Sequence, residues 1–358
     1  MLFEPLRIRS LQLSNRTVMA PMTRSRAVDG NTPNALMAEY YAQRASAGLI
    51  ITEGTSPSPN GLGYPRIPGL YHGEHVRGWR LITEAVHAQG GKIVVQLMHT
   101  GRVTHLTNLP AGAEVLAPVA GVCPGEIYSD ALGLQPHSPA RAMKEADIAR
   151  VVDEFARSAR LAIEAGFDGV ELHAANGYLI EQFLNANVNQ RTDGYGGDIQ
   201  GRNRFAIEVV RAMAAAIGAD KVGIRLSPYG VFNSTGPYAD IDAQYLALCQ
   251  ELSALGLLYL HVLDHSAMGA PPVPEALKTQ LRDAFDGPFI LAGGFDRETA
   301  EAALAERRAD LIAFGRPFLA NPDLVERLRA GAALNAPDMT TFYTPGAKGY
   351  TDYPTLGS

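Results

Sequence analysis

Eight short apolar runs, rich in β-branched residues, alternate with helical patterns along almost the whole chain, and no other feature constrains the fold as tightly. The runs fall at 16–21, 49–54, 92–97, 169–173, 222–227, 258–263, 288–293 and 310–315. Between and after them, apolar residues recur at helical spacing over 34–47, 75–89, 145–165, 203–217, 241–255, 274–285, 296–308 and 321–330. Gly48, Gly90, Gly166, Gly218 and Gly256 follow the helical stretches, where a left-handed cap costs glycine little. Eight βα units close a barrel. The expectation is an α/β fold, a (β/α)8 TIM barrel forming one domain over 1–358. A small β-hairpin precedes it (L-R-I-R-S-L-Q-L), and a long excursion, 99–144, leaves the third strand. The competing doubly wound sheet would carry G-x-G-x-x-G after its first strand when it binds a dinucleotide, and that motif is absent. A second long loop, 186–202, also leaves a C-terminal strand end, and both loops are expected to act as lids or binding loops.

Composition excludes some classes. With 31 basic against 37 acidic residues the formal net charge is -6, and no dense Lys/Arg run supports a nucleic-acid or anionic-membrane surface. The two cysteines, Cys123 and Cys249, lack metal-site spacing and read as free thiols in a reducing compartment. No signal-like or membrane-spanning run stands out, so a soluble, cytoplasmic protein acting on small molecules is expected, as a monomer or homodimer.

In a barrel the chemistry sits at the C-terminal strand ends. Those ends carry Thr23, Glu53 with Gly54, Gln96, His173, Arg225, His261, Gly293 with Gly294, and Gly315 with Arg316. No converging metal-ligand set is evident. Glu53 and Glu171 could form a glycosidase pair, but Glu171 lies below its strand end. The glycines after the last two strands allow close backbone approach, and Arg316 adds a bidentate anion partner, which together point to a phosphate site. Gln96, Arg225 and Thr23 suit the edge of a planar heterocycle. After the fourth strand, V-E-L-H-A-A-N-G-Y delivers His173, Asn176 and Tyr178 to one strand end and the turn beyond it. Taken singly, each is an ordinary strand-end or turn residue; the combination matters because a barrel puts this end at its active face.

Ordered motifs over nearly the whole chain resemble the old yellow enzyme family of FMN-dependent ene reductases, in pattern closest to its bacterial N-ethylmaleimide and nitrate-ester reductase branch. They include N-R-T-V-M-A-P-M-T-R, V-V-Q-L-M-H-T-G-R, G-F-D-G-V-E-L-H-A-A-N-G-Y, G-I-R-L-S-P, A-F-G-R-P and G-Y-T-D-Y-P. The resemblance implies tightly bound, non-covalent FMN. Its flavin would meet Pro21, Met22, Thr23, Gly54, Gln96 and Arg225, and its phosphate Gly293, Gly294, Gly315 and Arg316. It also implies that His173 and Asn176 hold the carbonyl or nitro oxygen of an activated alkene and that Tyr178 is the proton donor. NADPH or NADH would reduce the flavin at N5 in a ping-pong cycle and leave before the alkene enters. Tyr64, Tyr343 and Met98 match substrate-pocket positions. Runner-up readings are an NADH oxidase or dienoyl reductase of the same flavin family, and a flavin-binding module without turnover.

This sequence departs from the family pattern in places. Met98 stands where some relatives have tryptophan, Thr23 where one subgroup has cysteine, and Asn176 where nitrate-ester reductases tend to have histidine. From Val103 to Ala140 the excursion has no Lys or Arg. Cations for the extra phosphate of NADPH would therefore have to come from elsewhere, with Arg24, Arg66 and Arg191 the candidates.

Overall fold

The computed structural model describes residues 1–357. The eight runs become β3 (Thr17–Met19), β4 (Leu49–Ile51), β5 (Ile93–Leu97), β10 (Gly169–Ala174), β11 (Val222–Leu226), β12 (Tyr259–Leu263), β13 (Phe289–Ala292) and β14 (Leu311–Phe314). They pair in parallel and close as β10-β11-β12-β13-β14-β3-β4-β5. The hairpin β1 (Leu6–Ile8) and β2 (Leu11–Leu13) precedes them. Its Ile8, Leu11 and Leu13 join Val18, Leu49, Val94, Ile290 and Leu311 in one buried cluster, so the hairpin packs into the barrel's apolar interior. Each such side chain, once buried, contributes about 1.5–3 kcal/mol. Gly223 makes room inside the barrel, because a Cβ there would lie 2.4 Å from the ring of Tyr259.

Outside the barrel run α1 (Ala35–Ala42), α2 (Gly73–Ala88), α3 (Glu145–Glu164), α4 (Leu179–Leu184), α5 (Ile199–Ile217), α6 (Ile241–Ser253), α7 (Glu275–Ala284), α8 (Arg297–Ala305), α9 (Arg316–Ala320) and α10 (Leu324–Ala330). The glycines at 90, 166, 218 and 256 have positive φ, as helix ends favour. Gly48 differs. The first helix stops at Ala42, several residues short of 47, where the buried Arg44 guanidinium takes up the Tyr40 carbonyl at 2.9 Å. Gly48 is instead needed for close approach, since a Cβ would sit 2.1 Å from the Asn15 carbonyl oxygen.

The 99–144 excursion holds the antiparallel hairpin β7 (Glu126–Ser129) and β8 (Gly133–Pro136) above a short parallel pair, β6 (Leu116–Ala117) and β9 (Arg141–Ala142). The 186–202 loop is strapped down: Arg191 donates to the carbonyls of Pro118 and Met143, both at 2.7 Å, and Asn189 to those of Phe183 and Tyr195. It braces the excursion's base, which fits a fixed loop better than the lid that was one of the two roles expected from its length. Among the described residues, no helix is long and apolar enough to cross a membrane.

Candidate functional site

Strand register assembles a polar layer inside the C-terminal mouth of the barrel. Glu171 sits opposite Gln96, and His173, Arg225 and His261 follow one another across three strands. Because alternate residues share a face, all five side chains point the same way, inwards. Gln96 donates to Glu171 at 2.7 Å, and His261 Nδ1 lies 2.9 Å from the other carboxylate oxygen. Glu171 is thereby saturated. Glu53 accepts from the backbone N–H groups of Arg24 and Ser25, at 3.1 and 3.3 Å. Both carboxylates are buried and hold protein partners, unlike a pair poised across a glycosidic bond.

Arg225 is buried, and its Nε finds no protein acceptor; His261 Nε2, left as an acceptor because Nδ1 donates to Glu171, is also unpartnered. A buried polar group left unpaired costs about 1–3 kcal/mol, more for a charged one, so the orphaned Arg225 donor suits a ligand atom that accepts a hydrogen bond. Burial lowers His173 and His261 below the ordinary histidine range, with the Arg225 charge adding to the effect, so both imidazoles are neutral at pH 7. His173 Nδ1 accepts the Ala175 N–H at 3.3 Å, which leaves the ring proton on Nε2 as a donor.

Beyond β10 the chain turns sharply. Asn176 has φ 61 and Gly177 φ 74. Asparagine tolerates the left-handed region better than most residues, and Gly177 must be glycine because a Cβ would lie 2.5 Å from the Phe232 carbonyl. Glu181, inside the otherwise uncharged helix α4, pins this turn. Its carboxylate accepts the Gly177 N–H at 2.6 Å, the Ser227 hydroxyl at 3.1 Å and the Tyr245 hydroxyl at 3.2 Å. Ser227 in turn accepts the Asn176 N–H at 2.9 Å. With its backbone so held, Asn176 keeps a buried side-chain Oδ1 that meets no protein donor. Burial pushes Glu181 up to about 7.

Tyr178 follows, its ring edge-on to His173 with centroids 4.9 Å apart. Its hydroxyl is 2.9 Å from that of Tyr64, and the two share a hydrogen bond. Burial raises both phenols, Tyr64 to about 12 and Tyr178 well above the ordinary tyrosine value. Both therefore carry their protons at neutral pH. These hydroxyls stand at a cavity of about 740 Å³ whose walls include Thr23, Tyr64, Tyr178, Tyr343, Glu126 and Asp130. Tyr343 is largely exposed at its rim, and Arg66 joins β7–β8 to the rim by pairing with Asp130 and donating to the Tyr343 carbonyl at 2.7 Å. His173 and Asn176 are not wall residues, whereas Tyr178 is. Met98, expected at the substrate, is only 1% exposed and packs with Leu62 and Ile67 beneath Tyr64 and Tyr178. It also excludes any side chain at Gly54, where a Cβ would be 2.5 Å from its sulfur.

On the other side of the mouth, Gly293 and Gly294 have φ 141 and 70, and a Cβ on Gly293 would meet the Asp264 carbonyl at 2.5 Å. Gly315 opens the short helix α9, whose first residue, Arg316, is exposed; Pro21 and Met22 continue from β3, with Met22 beside Gly315. Strands β13, β14 and β3 are consecutive neighbours, so these residues form one arc. Glu53 and Glu181 were missed as turn-holding groups. The signal for Glu181 was present: a carboxylate in the apolar run L-I-E-Q-F-L must find partners if buried.

The closed parallel barrel with a polar layer in its C-terminal mouth is an α/β barrel of the kind that carries enzyme sites at that face. The chain belongs to the NADH:flavin oxidoreductase / NADH oxidase family, whose model matches residues 1–335, and within it to the old yellow enzyme group. It is 41% identical to 12-oxophytodienoate reductase 2 of Arabidopsis thaliana over 100% of this chain and 96% of that protein. A probable flavin mononucleotide-dependent alkene reductase of Leishmania infantum is 43% identical, over 99% of this chain and 97% of the relative. Among solved structures, morphinone reductase in complex with tetrahydroNAD matches with a TM-score of 0.94 at 45% identity, covering 100% of this chain and 98% of that one.

Proposed function

We propose that the whole chain works as one FMN-binding unit that uses a nicotinamide donor to reduce activated C=C bonds in α,β-unsaturated carbonyls, maleimides or nitroalkenes. The observation that carries this reading is the juxtaposition of neutral His173 and turn-locked Asn176 with protonated Tyr178, which lines the inner end of the cavity. FMN, when bound, supplies the redox chemistry, taking hydride from the donor and giving it to the alkene. The unpartnered Arg225 Nε, the Gln96 amide, Thr23, Gly54, Pro21 and Met22 fit a flavin's hydrogen-bonding edge and the space beside it. Gly293, Gly294, Gly315 and Arg316 would hold the phosphate, the glycines permitting close approach of backbone N–H groups.

His173 Nε2–H and the Asn176 amide would both donate to the carbonyl or nitro oxygen. That withdraws electron density from the double bond and stabilises the negative charge that develops there. Tyr178 would give its proton to the α-carbon. The hydroxyls of Tyr64 and Tyr178 share a hydrogen bond, and when Tyr64 donates in it the Tyr178 proton would be free to face the substrate. Tyr343 would close the outer side of the bound alkene, and Met98 would set the depth of the pocket from below.

The test is an anaerobic absorbance titration of the purified protein. Flavin bands should bleach on adding NADH or NADPH and return on adding 2-cyclohexenone. A colourless protein that FMN cannot reconstitute would overturn the reading.

A further inference from the structure

We infer that the rim of the cavity selects NADH over NADPH by charge. The inference rests on the oxidoreductase reading above, in which a nicotinamide reaches the inner end of the cavity and the adenosine half of the coenzyme trails out over the rim. The two coenzymes differ only in the 2′-phosphate of NADPH. A phosphate monoester brings about two negative charges at neutral pH and calls for cations with donors to spare.

The rim supplies carboxylates instead. Glu126 and Asp130 both line the wall, and Arg66 is the one cation among the described wall residues. That arginine is already committed. It is paired with Asp130, its Nε donates to the Ser25 carbonyl at 3.1 Å, and its Nη2 to the Tyr343 carbonyl at 2.7 Å.

Three further arginines are no freer. Arg24 is wholly buried, donating to Phe342, Tyr40 and Gly349. Arg191 is held by Asp193 and by the carbonyls of Pro118 and Met143, away from the wall. Arg102, at the start of the excursion, turns to the carbonyls of Asn233 and Ser234. Lys348 is exposed but off the wall, its charge acting on Asp338. A 2′-phosphate at this rim would face Glu126, with Asp130 already paired to Arg66 and no uncommitted cation among the described wall residues to offset that carboxylate. Opposed like charges are costly, and even in a partly solvated rim the penalty should reach about tenfold in affinity.

The experiment uses the FMN-loaded protein. Stopped-flow reduction by NADH and by NADPH is compared at low and high ionic strength. Calorimetry then measures the affinity of the tetrahydro forms of both coenzymes, which bind without giving up hydride. NADH should be favoured by about tenfold or more in affinity, and the gap should narrow in about 0.5 M salt as the rim charges are screened. Glu126→Gln and, separately, Glu126→Lys should narrow it stepwise by tightening NADPH, with little change for NADH. Because Glu126 is an exposed strand residue, these variants do not disturb the Arg66–Asp130 pair. Equal or tighter binding of the NADPH analogue, or a gap in rate with none in affinity, would overturn the inference and leave the oxidoreductase reading standing. Bleaching by neither coenzyme would bring down both.

Discussion

The inner end of the cavity and its rim are built on opposite principles. Behind the inner end, His173 sits on a barrel strand, and the Asn176–Gly177 turn is held by the buried Glu181–Ser227–Tyr245 cluster, so the groups proposed for chemistry are fixed by short-range bonds inside the core. At the rim, a two-stranded hairpin and the segment around Tyr343 meet across a gap and are joined through the single side chain of Arg66. The contrast teaches where each kind of specificity belongs. Stabilising a transition state needs donors held in place before the reaction, whereas choosing between whole molecules needs only a wall of the right charge and shape.

The largest expected effect is at the inner end. Tyr178→Phe should slow reoxidation of the reduced enzyme by 2-cyclohexenone about 100-fold or more, the scale of a lost general acid, while leaving reduction by NADH within about twofold. Stopped-flow measurement of the two half-reactions separates these, and equal slowing of both would remove Tyr178 from the proton-donor role. His173→Ala should come next, weakening the binding of phenols and enones about tenfold or more, as loss of a buried donor to a polarised oxygen predicts. Unchanged affinity, read from the ligand-induced shift of the flavin spectrum, would place the oxygen elsewhere.

Glu181→Gln probes the support behind that wall. Burial raises Glu181 to about 7 from 4.5, so between those values the folded protein binds more protons at this site than the unfolded chain does. Stability from this group is therefore highest below about pH 4.5, falls as pH rises and levels off above about 7, a total of about 3 kcal/mol. Glu53, also raised to about 7, acts in the same direction, whereas Asp147, lowered by its bond to Arg141, acts oppositely at lower pH. The comparison must be between wild type and variant. Urea unfolding at pH 5, 6 and 7 should show the glutamine variant gaining on wild type as pH rises, and parallel curves would deny Glu181 its buried, titrating role.

The barrel was legible because strand period, helix period and glycine ends all repeat, and repetition averages out local ambiguity. His173, Arg225 and Gln96 were legible for the same reason, since a barrel makes strand ends converge. The exceptions have local causes. Gly48 looked like a cap but answers to the Asn15 carbonyl, a contact 33 residues back in the chain. Met98 settles its flexible side chain under Tyr178 and into the space that Gly54 leaves open, a placement that residue spacing does not reveal. The 186–202 loop read as a lid or a binding loop because length alone cannot reveal that Arg191 finds two carbonyl partners across the fold. Partner choice over long separations is what the spacing of residues does not encode.

The smallest expected effect lies at the rim, with Arg66→Met. The Arg66–Asp130 pair is partly solvated, and such pairs are worth about 0–1 kcal/mol, so the melting temperature should barely move. The methionine keeps the apolar stem while removing the charge and the bonds to Ser25 and Tyr343. Asp130 is then left unpaired beside Glu126, and the wall becomes more negative. NADH should lose only about twofold to threefold in affinity and NADPH more, widening the selectivity that Glu126→Lys narrows; at that exposure each rim charge is worth less than about 1 kcal/mol. Reduction of enones should keep its rate once hydride is on the enzyme, since Tyr178, His173 and Asn176 take none of their hydrogen bonds from Arg66. If Arg66→Met instead slowed the enone half-reaction as severely as Tyr178→Phe, the two regions would be one coupled unit, and the division between a fixed inner wall and a selecting rim would fail.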